Sequence, residues 1–348
     1  MPLATIDLAL RAASVALLLV LAASLFRDFR HVVAGRLAVA FALGSAAHAA
    51  TSAFGATLPI TGWHAPMIAL STGNVVVFWL FCRALFDDAF RLRWWHGAIW
   101  LAVATFSFVN CMWIAPAGDT RIAITAVNVI ALFFIILTVA QTIGSWSADL
   151  VEGRRKLRIF IVVATALYGG LNALAQMLSL RGDAAGIANV ANSAVLACIV
   201  AMIVGAMMQV TARDLFPVAR EASAKASVVD SGDQKLVDAL MRLMADERIY
   251  RHDNVTVGTL ARRLSIPEYR LRRVINQRLG YRNFNVFLNE HRIAEAKAAL
   301  ADPTQAEVPV ITIAMDAGFQ SLGPFNRAFK ATTGVTPSEY RKARVSAV

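Results

Sequence analysis

The sequence predicts an all-α protein, with a seven-transmembrane-helix bundle followed by a soluble α-helical domain that contains two helix-turn-helix units. The 348 residues are 57% hydrophobic and 16% charged, with a mean hydropathy of +0.56, which exceeds the apolar content of ordinary soluble proteins. The charge is unevenly distributed, since residues 1–211 hold only 13 of the 34 Lys and Arg and 8 of the 23 Asp and Glu. Two stretches of the charged remainder have the apolar spacing of a short helix, a turn and a second helix.

Seven apolar stretches in the first part are each long enough to cross about 30 Å of hydrocarbon as a helix of about 20 residues. They lie near 4–26, 35–56, 65–86, 95–115, 122–145, 158–180 and 187–210. We therefore assign residues 1–210 to a transmembrane domain. Residues 211–232, rich in Ala and Ser, are predicted to be a cytoplasmic connector. Residues 233–348 form the predicted soluble domain.

Basic residues predict the orientation of the bundle. With the N-terminus outside, two basic residues, Arg121 and Arg181, lie in outer loops. Ten lie at inner ends: Arg27, Arg30, Arg36, Arg83, Arg91, Arg93, Arg154, Arg155, Lys156 and Arg158. Cytoplasmic loops carry the excess of Lys and Arg, so the N-terminus is predicted to be outside and the soluble domain in the cytoplasm, where DNA is.

Polar side chains inside the predicted spans are concentrated near mid-membrane and in the outer half. They are His48, Asn74, Asn110, Asn128, Asn172, Gln176, Asn189 and Asn192. Amides are costly in lipid and face the bundle interior. Two interpretations stay open: a polar cavity that binds a small-molecule or lipid effector from outside, or interhelical hydrogen bonds without a ligand.

The sequence carries no sign of catalysis. The three cysteines, Cys82, Cys111 and Cys198, lie in apolar stretches without the Cys/His spacing of a metal site. No nucleophile–base pair or phosphate-binding glycine loop is recognisable, and we expect no enzyme activity, cofactor or metal. A transporter with a regulatory tail is a third, weakly supported alternative, because no span carries paired carboxylates.

The first helix-turn-helix unit is predicted from TVGTLARRLSIPEYRLRRVINQRLG, residues 256–280. Leu260 and Leu264 mark the buried face of its first helix, and Pro267 suits the first turn of its second. The buried stripe of the second helix is Leu271, Val274 and Ile275. Its exposed face is predicted to be Tyr269, Arg270, Arg272, Arg273 and Asn276. Residues 251–284 hold eight arginines and two acidic residues. Arginine makes bidentate hydrogen bonds to guanine edges and to phosphates.

The second unit is predicted from AMDAGFQSLGPFNRAFKATTGVTPSEYR, residues 314–341. Gly318 has the place of a left-handed helix stop, and Ser321 can cap the following helix. That helix is predicted to bury Phe325 and Phe329 and to expose Asn326, Arg327 and Lys330. A single helix over residues 283–300 is predicted to separate the two units.

The order of these segments resembles the DNA-binding domain of AraC/XylS-type transcription regulators over residues 233–345. The closing motif is the most specific part: Gly318-Phe319, Phe325, Arg327, Phe329-Lys330, Gly334, Thr336-Pro337 and Tyr340-Arg341. The resemblance implies two recognition helices in successive major grooves. By position it implies DNA contacts from Glu268, Tyr269, Arg272, Arg273 and Asn276, and from Gln320, Ser321, Leu322, Asn326 and Arg327. Leu322-Gly323-Pro324 departs from the more polar pattern of the family, so the second helix is expected to contribute mainly phosphate contacts.

These observations predict a membrane-anchored, one-component transcription regulator with double-stranded DNA and the lipid bilayer as partners. Its predicted location is the bacterial inner membrane, multi-pass, with the C-terminal domain in the cytoplasm. The bundle is predicted to sense a signal. The alternative is that it only anchors the chain while abundance or proteolysis sets activity. A homodimer is left open, because no dimer interface can be recognised in the sequence.

Overall fold

The structure is a computed structural model that describes residues 3–54, 64–88, 90–114, 120–144, 146–179, 185–209, 231–252 and 254–345. Within these ranges the secondary structure is helical, and an isolated antiparallel bridge joins Asp149 to Asn283. The all-α prediction is confirmed. The chain divides into two compact units, residues 1–146 with 153–222, and residues 147–152 with 223–348.

The first unit contains seven helices in its described residues: α1 (Leu3–Phe29), α2 (Val33–Phe54), α3 (Ala65–Phe86), α4 (Trp94–Val109), α5 (Thr120–Gly144), α6 (Glu152–Ser179) and α7 (Ala185–Gln209). A π-helical turn, Asn110–Ile114, continues α4. The helix α1 packs on α2 and α7, and α3 packs on α2, α4 and α5. Small residues permit close approach, since a Cβ on Gly44 of α2 would lie 2.2 Å from Asn74 Oδ1 of α3.

Six of these helices are long and apolar enough to cross a membrane in their described parts. The helix α6, which contains the predicted span 158–180, is not among the six. Its first two turns carry Glu152 and four basic residues, and its side chains after Asn172 lie outside the described part of the chain. The sixth predicted span therefore stays a prediction. The basic start of α6 is nevertheless anchored within this unit, because Arg154 Nη2 lies 2.6 Å from Asp88 Oδ1.

The second unit contains seven further helices in its described residues: α8 (Ser231–Ala245), α9 (Val257–Arg263), α10 (Glu268–Gln277), α11 (Phe284–Ala301), α12 (Val310–Asp316), α13 (Leu322–Thr333) and α14 (Pro337–Val345). The helix α8 begins within two residues of the predicted start of the soluble domain. Residues 211–230 of the predicted connector lie outside the described residues.

Two hydrophobic clusters stabilise this unit, one for each helix-turn-helix. The first contains Leu271 and Ile275 of α10 together with Leu260 of α9. All three residues of the predicted stripe of α10, Leu271, Val274 and Ile275, are fully buried. The second is built around Phe325 and Phe329 of α13, which are also fully buried. The predicted helix 283–300 is confirmed as α11, which contributes Phe287 to the first cluster and Ala296 to the second.

The helix boundaries follow local backbone chemistry. Gly318 has φ +92° directly after α12, as predicted for a left-handed stop. Ser321 is the N-cap of α13, although its side chain makes no capping hydrogen bond. The prediction for Pro267 is off by one position: its ψ of 140° is extended, so it is the N-cap of α10 and the helix begins at Glu268.

Candidate nucleic-acid interface

The first helix-turn-helix unit is formed by α9 and α10, with a turn in which Ser265 adopts a left-handed φ of 55°. Thr256 caps α9 by accepting a hydrogen bond from the Thr259 amide. Fully buried apolar side chains fix one face of α10, and Glu268, Tyr269 and Arg273 are exposed on its other side. Tyr269 is 61% exposed. Three of the five residues implied to contact DNA here are therefore accessible.

Asn276 and Arg272 do not fully match the predicted exposed face. Asn276 is half-buried, and its Nδ2 donates to the Tyr281 carbonyl oxygen at 3.0 Å. Arg272 is only 4% exposed. Its guanidinium pairs with Glu268, one turn earlier on α10, and Nη1 donates to the Asp149 carbonyl oxygen at 2.6 Å. The exposure predicted for Arg272 is wrong in this structure, because residues far away in the sequence cover it.

The second helix-turn-helix unit is formed by α12 and α13. Gln320, Ser321, Asn326 and Arg327 are exposed. Leu322 is half-buried and packs against the cluster around Phe325. Tyr340 of α14 lies edge-on to Phe329, with ring centroids 5.4 Å apart. The accessible side of this helix-turn-helix unit therefore offers amides, a hydroxyl, one guanidinium and the ammonium of the exposed Lys330, while Leu322 serves mainly as packing.

The central turns of α11 make two side-chain contacts with the segments that precede the helix. Arg251 pairs with Glu295, and Tyr281 Oη donates to Glu290 Oε2 at 2.5 Å. Burial raises the pKa of Glu295, but the hydrogen bonds from Arg251 and Tyr250, together with the charges of nearby arginines, lower it by more than burial raises it. The pKa of Glu295 therefore lies below its usual value. Burial, followed by the contact with Glu290, raises the pKa of Tyr281 to about 12. Both groups keep their charge state at neutral pH, so these contacts persist there.

A cluster of three arginines around one carboxylate was not anticipated from the sequence. Asp233, at the start of α8, is 7% exposed. Its oxygens lie 3.5 Å from Arg270, 3.7 Å from Arg273 and 4.0 Å from Arg278. The signal was an acidic residue at the first turn of a helix that precedes an arginine-rich segment, but its partners lie about 40 positions away and could not be specified.

Asp233 is expected to lower the affinity of the arginine face for DNA. Asp233→Asn keeps the shape and removes one negative charge, so the slope of log K against log salt should steepen by up to about 0.9 for a non-specific duplex. Asp238→Asn is the matched control, because Asp238 is exposed on the same helix and accepts from Gln234. The measurement is fluorescence anisotropy of a labelled duplex with the full chain in detergent at several salt concentrations. Equal slopes for the two variants would contradict the expectation.

The family model that matches this chain lies within the C-terminal compact unit. The model of a helix-turn-helix domain family, of AraC type, matches residues 260–343. The C-terminal unit is an AraC-type helix-turn-helix domain. The arabinose operon regulatory protein of Escherichia coli strain K12 is 30% identical over 88 residues, which are 25% of this chain and 29% of that protein.

Uncharacterized HTH-type transcriptional regulators of Staphylococcus aureus match this chain over a similar length. The protein of strain COL is 32% identical over 96 residues, which are 28% of this chain and 12% of that protein. This chain therefore spans less than a third of the length of these relatives. No solved structure matches the chain significantly.

The predicted effector residues lie in the N-terminal compact unit, which contains α1 to α7. Several of them form pairs between helices. His48 Nδ1 lies 3.1 Å from Ser71 Oγ and His48 Nε2 lies 2.7 Å from Tyr168 Oη. Other described pairs are Asn74 with Ser45 at 3.0 Å and Asn192 with Asn172 at 3.5 Å. Asn110 is buried, Asn128 and Asn189 are half-buried, and the Gln176 side chain lies outside the described part.

Sequence reasoning missed several members of this polar region. Tyr168 of α6 meets His48, and a charged pair within α1 joins Arg11 to Asp7 at 2.9 Å, with Arg11 also donating to Ser52. Arg11 is 4% exposed. The spacing of Asp7 and Arg11, four residues apart in an apolar helix, was a usable signal. Among the described residues, no group of three or more His, Cys, Asp or Glu could hold a metal ion.

Proposed function

We propose that the chain is a membrane-anchored, one-component transcription regulator that binds specific DNA through both helix-turn-helix units. The observation that carries this proposal is the AraC-type domain joined, in one polypeptide, to six described helices of membrane-spanning length and hydropathy. An AraC-type domain must lie in the compartment that contains DNA. The positive-inside distribution of Arg and Lys favours a cytoplasmic C-terminal domain. The bacterial inner membrane is the location that fits both requirements.

The exposed side chains of the N-terminal compact unit support membrane insertion. Large apolar side chains are exposed along its helices, for example Leu101 at 59%, Phe133 at 59% and Met202 at 53%. A soluble protein rarely exposes so many. Trp94 and Trp113, 86% and 60% exposed, lie near opposite ends of the span Trp94–Ile114. Tryptophans near both ends of a span are typical of residues at the two membrane–water interfaces.

We also infer that the polar region around His48 senses the signal, with a small molecule or a lipid as effector. It connects α2, α3 and α6, and the Asn172–Asn192 pair connects α6 to α7. Asn192 Oδ1 is buried and accepts no hydrogen bond from the described part of the chain. A ligand that supplies a donor to this oxygen in one arrangement of the helices would bias the bundle towards that arrangement.

The interhelical pairs favour a second candidate, in which the bundle is an anchor and these amides only hold it together. Activity would then depend on abundance or on proteolysis within residues 211–232. A homodimer on the membrane is compatible with either candidate.

The experiment that tests the proposal is sequencing of the DNA retained on membranes that contain the full chain. We expect enriched loci that disappear when Arg273 and Arg327 are both replaced by alanine. Membranes that retain no more DNA than membranes without the chain would contradict the proposal.

Sensing is tested with a reporter placed behind an enriched locus. Among Asn74→Ala, Asn110→Ala and Asn192→Ala, we expect at least one to lose most of its response to growth conditions that change reporter activity in the wild type. Val129→Ala and Leu132→Ala are the controls, because these side chains are 60% and 56% exposed on α5. A full response in all three amide variants would favour the anchor candidate.

A further inference from the structure

A six-residue segment of the chain, 147–152, belongs to the C-terminal unit although it joins α5 to α6 in the sequence. It pairs with the start of α11 as an antiparallel bridge between Asp149 and Asn283. The Leu150 amide donates to the Arg282 carbonyl oxygen at 3.1 Å, and the Phe284 amide donates to the Ala148 carbonyl oxygen at 2.8 Å. The second of these bonds satisfies an amide in the first turn of α11, where amides lack a partner within their own helix.

Leu150 inserts into the hydrophobic cluster of the first helix-turn-helix unit. It is 2% exposed and belongs to the same cluster as Leu271 of α10 and Phe284 and Phe287 of α11. A leucine in a short loop between two long helices has no reason of its own to be buried, because loops normally run over the surface. The segment is therefore docked on the unit by apolar burial as well as by backbone hydrogen bonds.

Arg272 of α10 is engaged by this segment and by Glu268. Its Nη1 donates to the Asp149 carbonyl oxygen at 2.6 Å and lies 3.4 Å from the Ser147 carbonyl oxygen. Nε and Nη2 donate to Glu268. Bidentate recognition of guanine needs two free donors of the guanidinium fork. In this arrangement Arg272 keeps at most one N–H, on Nη2, and cannot bind guanine through two donors.

We propose that residues 147–152 are an autoinhibitory latch on the first helix-turn-helix unit. This inference rests on the proposed DNA-binding function. While docked, the latch occupies Nη1 of Arg272, and Glu268 occupies Nε and one N–H of Nη2. Release of the latch frees Nη1, which together with the second N–H of Nη2 gives the two donors that a guanine edge requires. Because the latch is continuous with α5 and α6, a movement of either helix pulls on it directly, so a signal in the bundle reaches α10 without passing through residues 211–232.

A disulfide can hold the latch closed in the full chain. Residues opposite each other in an antiparallel pair have Cα atoms about 4.5–5.5 Å apart, which is within the range that a disulfide bridges. Asp149→Cys combined with Asn283→Cys is therefore expected to cross-link under mild oxidant. The single variants Asp149→Cys and Asn283→Cys, treated with the same oxidant, control for the three native cysteines and for loss of the Asn283 cap.

The readout is binding of the full chain, in detergent, to duplexes enriched from a randomised library on the reduced double variant. We expect the oxidised double variant to bind about tenfold or more weakly than its reduced form, since one bidentate base contact is worth about 10–100-fold. The single variants should bind equally with and without oxidant. Equal binding by the oxidised and reduced double variants would overturn the latch alone. Failure of the reduced form to enrich any duplex would overturn the proposed DNA binding, and the latch with it.

Leu150→Ala tests the opposite direction, because it weakens docking. We expect it to bind the same duplexes several-fold more tightly than the wild type. Leu92→Ala, at a half-exposed leucine in another inter-helix loop, is the control and should bind as the wild type does. Weaker binding by a Leu150→Ala protein that retains the wild-type helical content would contradict the latch. If that variant does not fold, the cysteine pair decides.

Discussion

Gly318→Ala is expected to disrupt the second helix-turn-helix unit and to abolish its contribution to DNA binding. Gly318 has φ +92°, a conformation that costs a residue with a Cβ about 1–2 kcal/mol. A Cβ at this position would also lie 2.5 Å from the Tyr250 carbonyl oxygen and 2.8 Å from Arg251 Cα. Both are backbone atoms and cannot rotate away, so overpacking adds about 1–3 kcal/mol. The total, about 2–5 kcal/mol, is a large part of the stability of a small unit.

The position of Gly318 explains why the loss is local. The Gly318 amide donates to the Met315 carbonyl oxygen and the Phe319 amide donates to the Ala314 carbonyl oxygen, which closes the end of α12. The Tyr250 carbonyl oxygen, which the new Cβ would strike, also accepts from Arg292 of α11 at 2.7 Å. Displacing it weakens the attachment of the second helix-turn-helix unit. Tyr250 also belongs to the cluster around Leu271, but it is one of that cluster's fourteen buried members in the described part of the chain, and the three atoms nearest the new Cβ belong to Tyr250 and Arg251. Hydrogen exchange of α12 and α13 in the full chain should therefore accelerate more than that of α9 and α10.

Gly334→Ala is the matched control. Gly334 also has a left-handed φ, +82°, but a Cβ added there would meet no atom of the described residues within 4 Å. It carries only the conformational cost of about 1–2 kcal/mol. Equal acceleration of exchange in the two variants would show that the close contact with Tyr250 and Arg251 is not what makes Gly318 necessary.

The local part of the fold was predictable from the sequence because apolar spacing determines both the helix and its buried face. Leu260, Leu271, Val274, Phe325 and Phe329 were assigned to the interior by spacing alone, and all are fully buried. Each of these assignments depends on neighbours within one or two turns. The same reasoning gave α11 and the left-handed stop after α12, because Gly and helix caps act on adjacent backbone.

The wrong or missed parts depend on partners that are distant in the sequence. Spacing put Arg272 on the exposed face of α10, and the carbonyl that covers it belongs to Asp149, 123 positions earlier. The partners of His48 are 23 and 120 positions away. Periodicity carries no information about which loop docks on which helix. Leu150 and Val151, an apolar pair between Asp149 and Glu152 in an inter-helix loop, were a local signal of such docking.

Arg273→Ala is expected to reduce affinity for the preferred duplex by about 1–3 kcal/mol and to relax specificity at one base pair. Arg273 is exposed on α10, one turn after Tyr269, and its Nη2 lies 3.7 Å from Asp233 Oδ2. The distance is long for an ion pair, the Arg273 side chain is half-exposed, and the buried Asp233 keeps Arg270 and Arg278 as partners when Arg273 leaves. The guanidinium can therefore leave Asp233 for a guanine edge at small cost. Arg273 is thus available for base recognition in the structure in which Arg272 is not.

Lys330→Ala separates base recognition from general attraction to phosphate. Lys330 is exposed in the last turn of α13, and an ammonium acts on DNA as a point charge without base preference. Its removal should weaken all duplexes alike and lower the salt slope by about 1. Binding of both variants across a randomised library, at two salt concentrations, is the measurement. A uniform loss over all sequences in Arg273→Ala would mean that this arginine, too, contacts only phosphate, and base recognition would then have to come from Tyr269, from the released Arg272 or from the second unit.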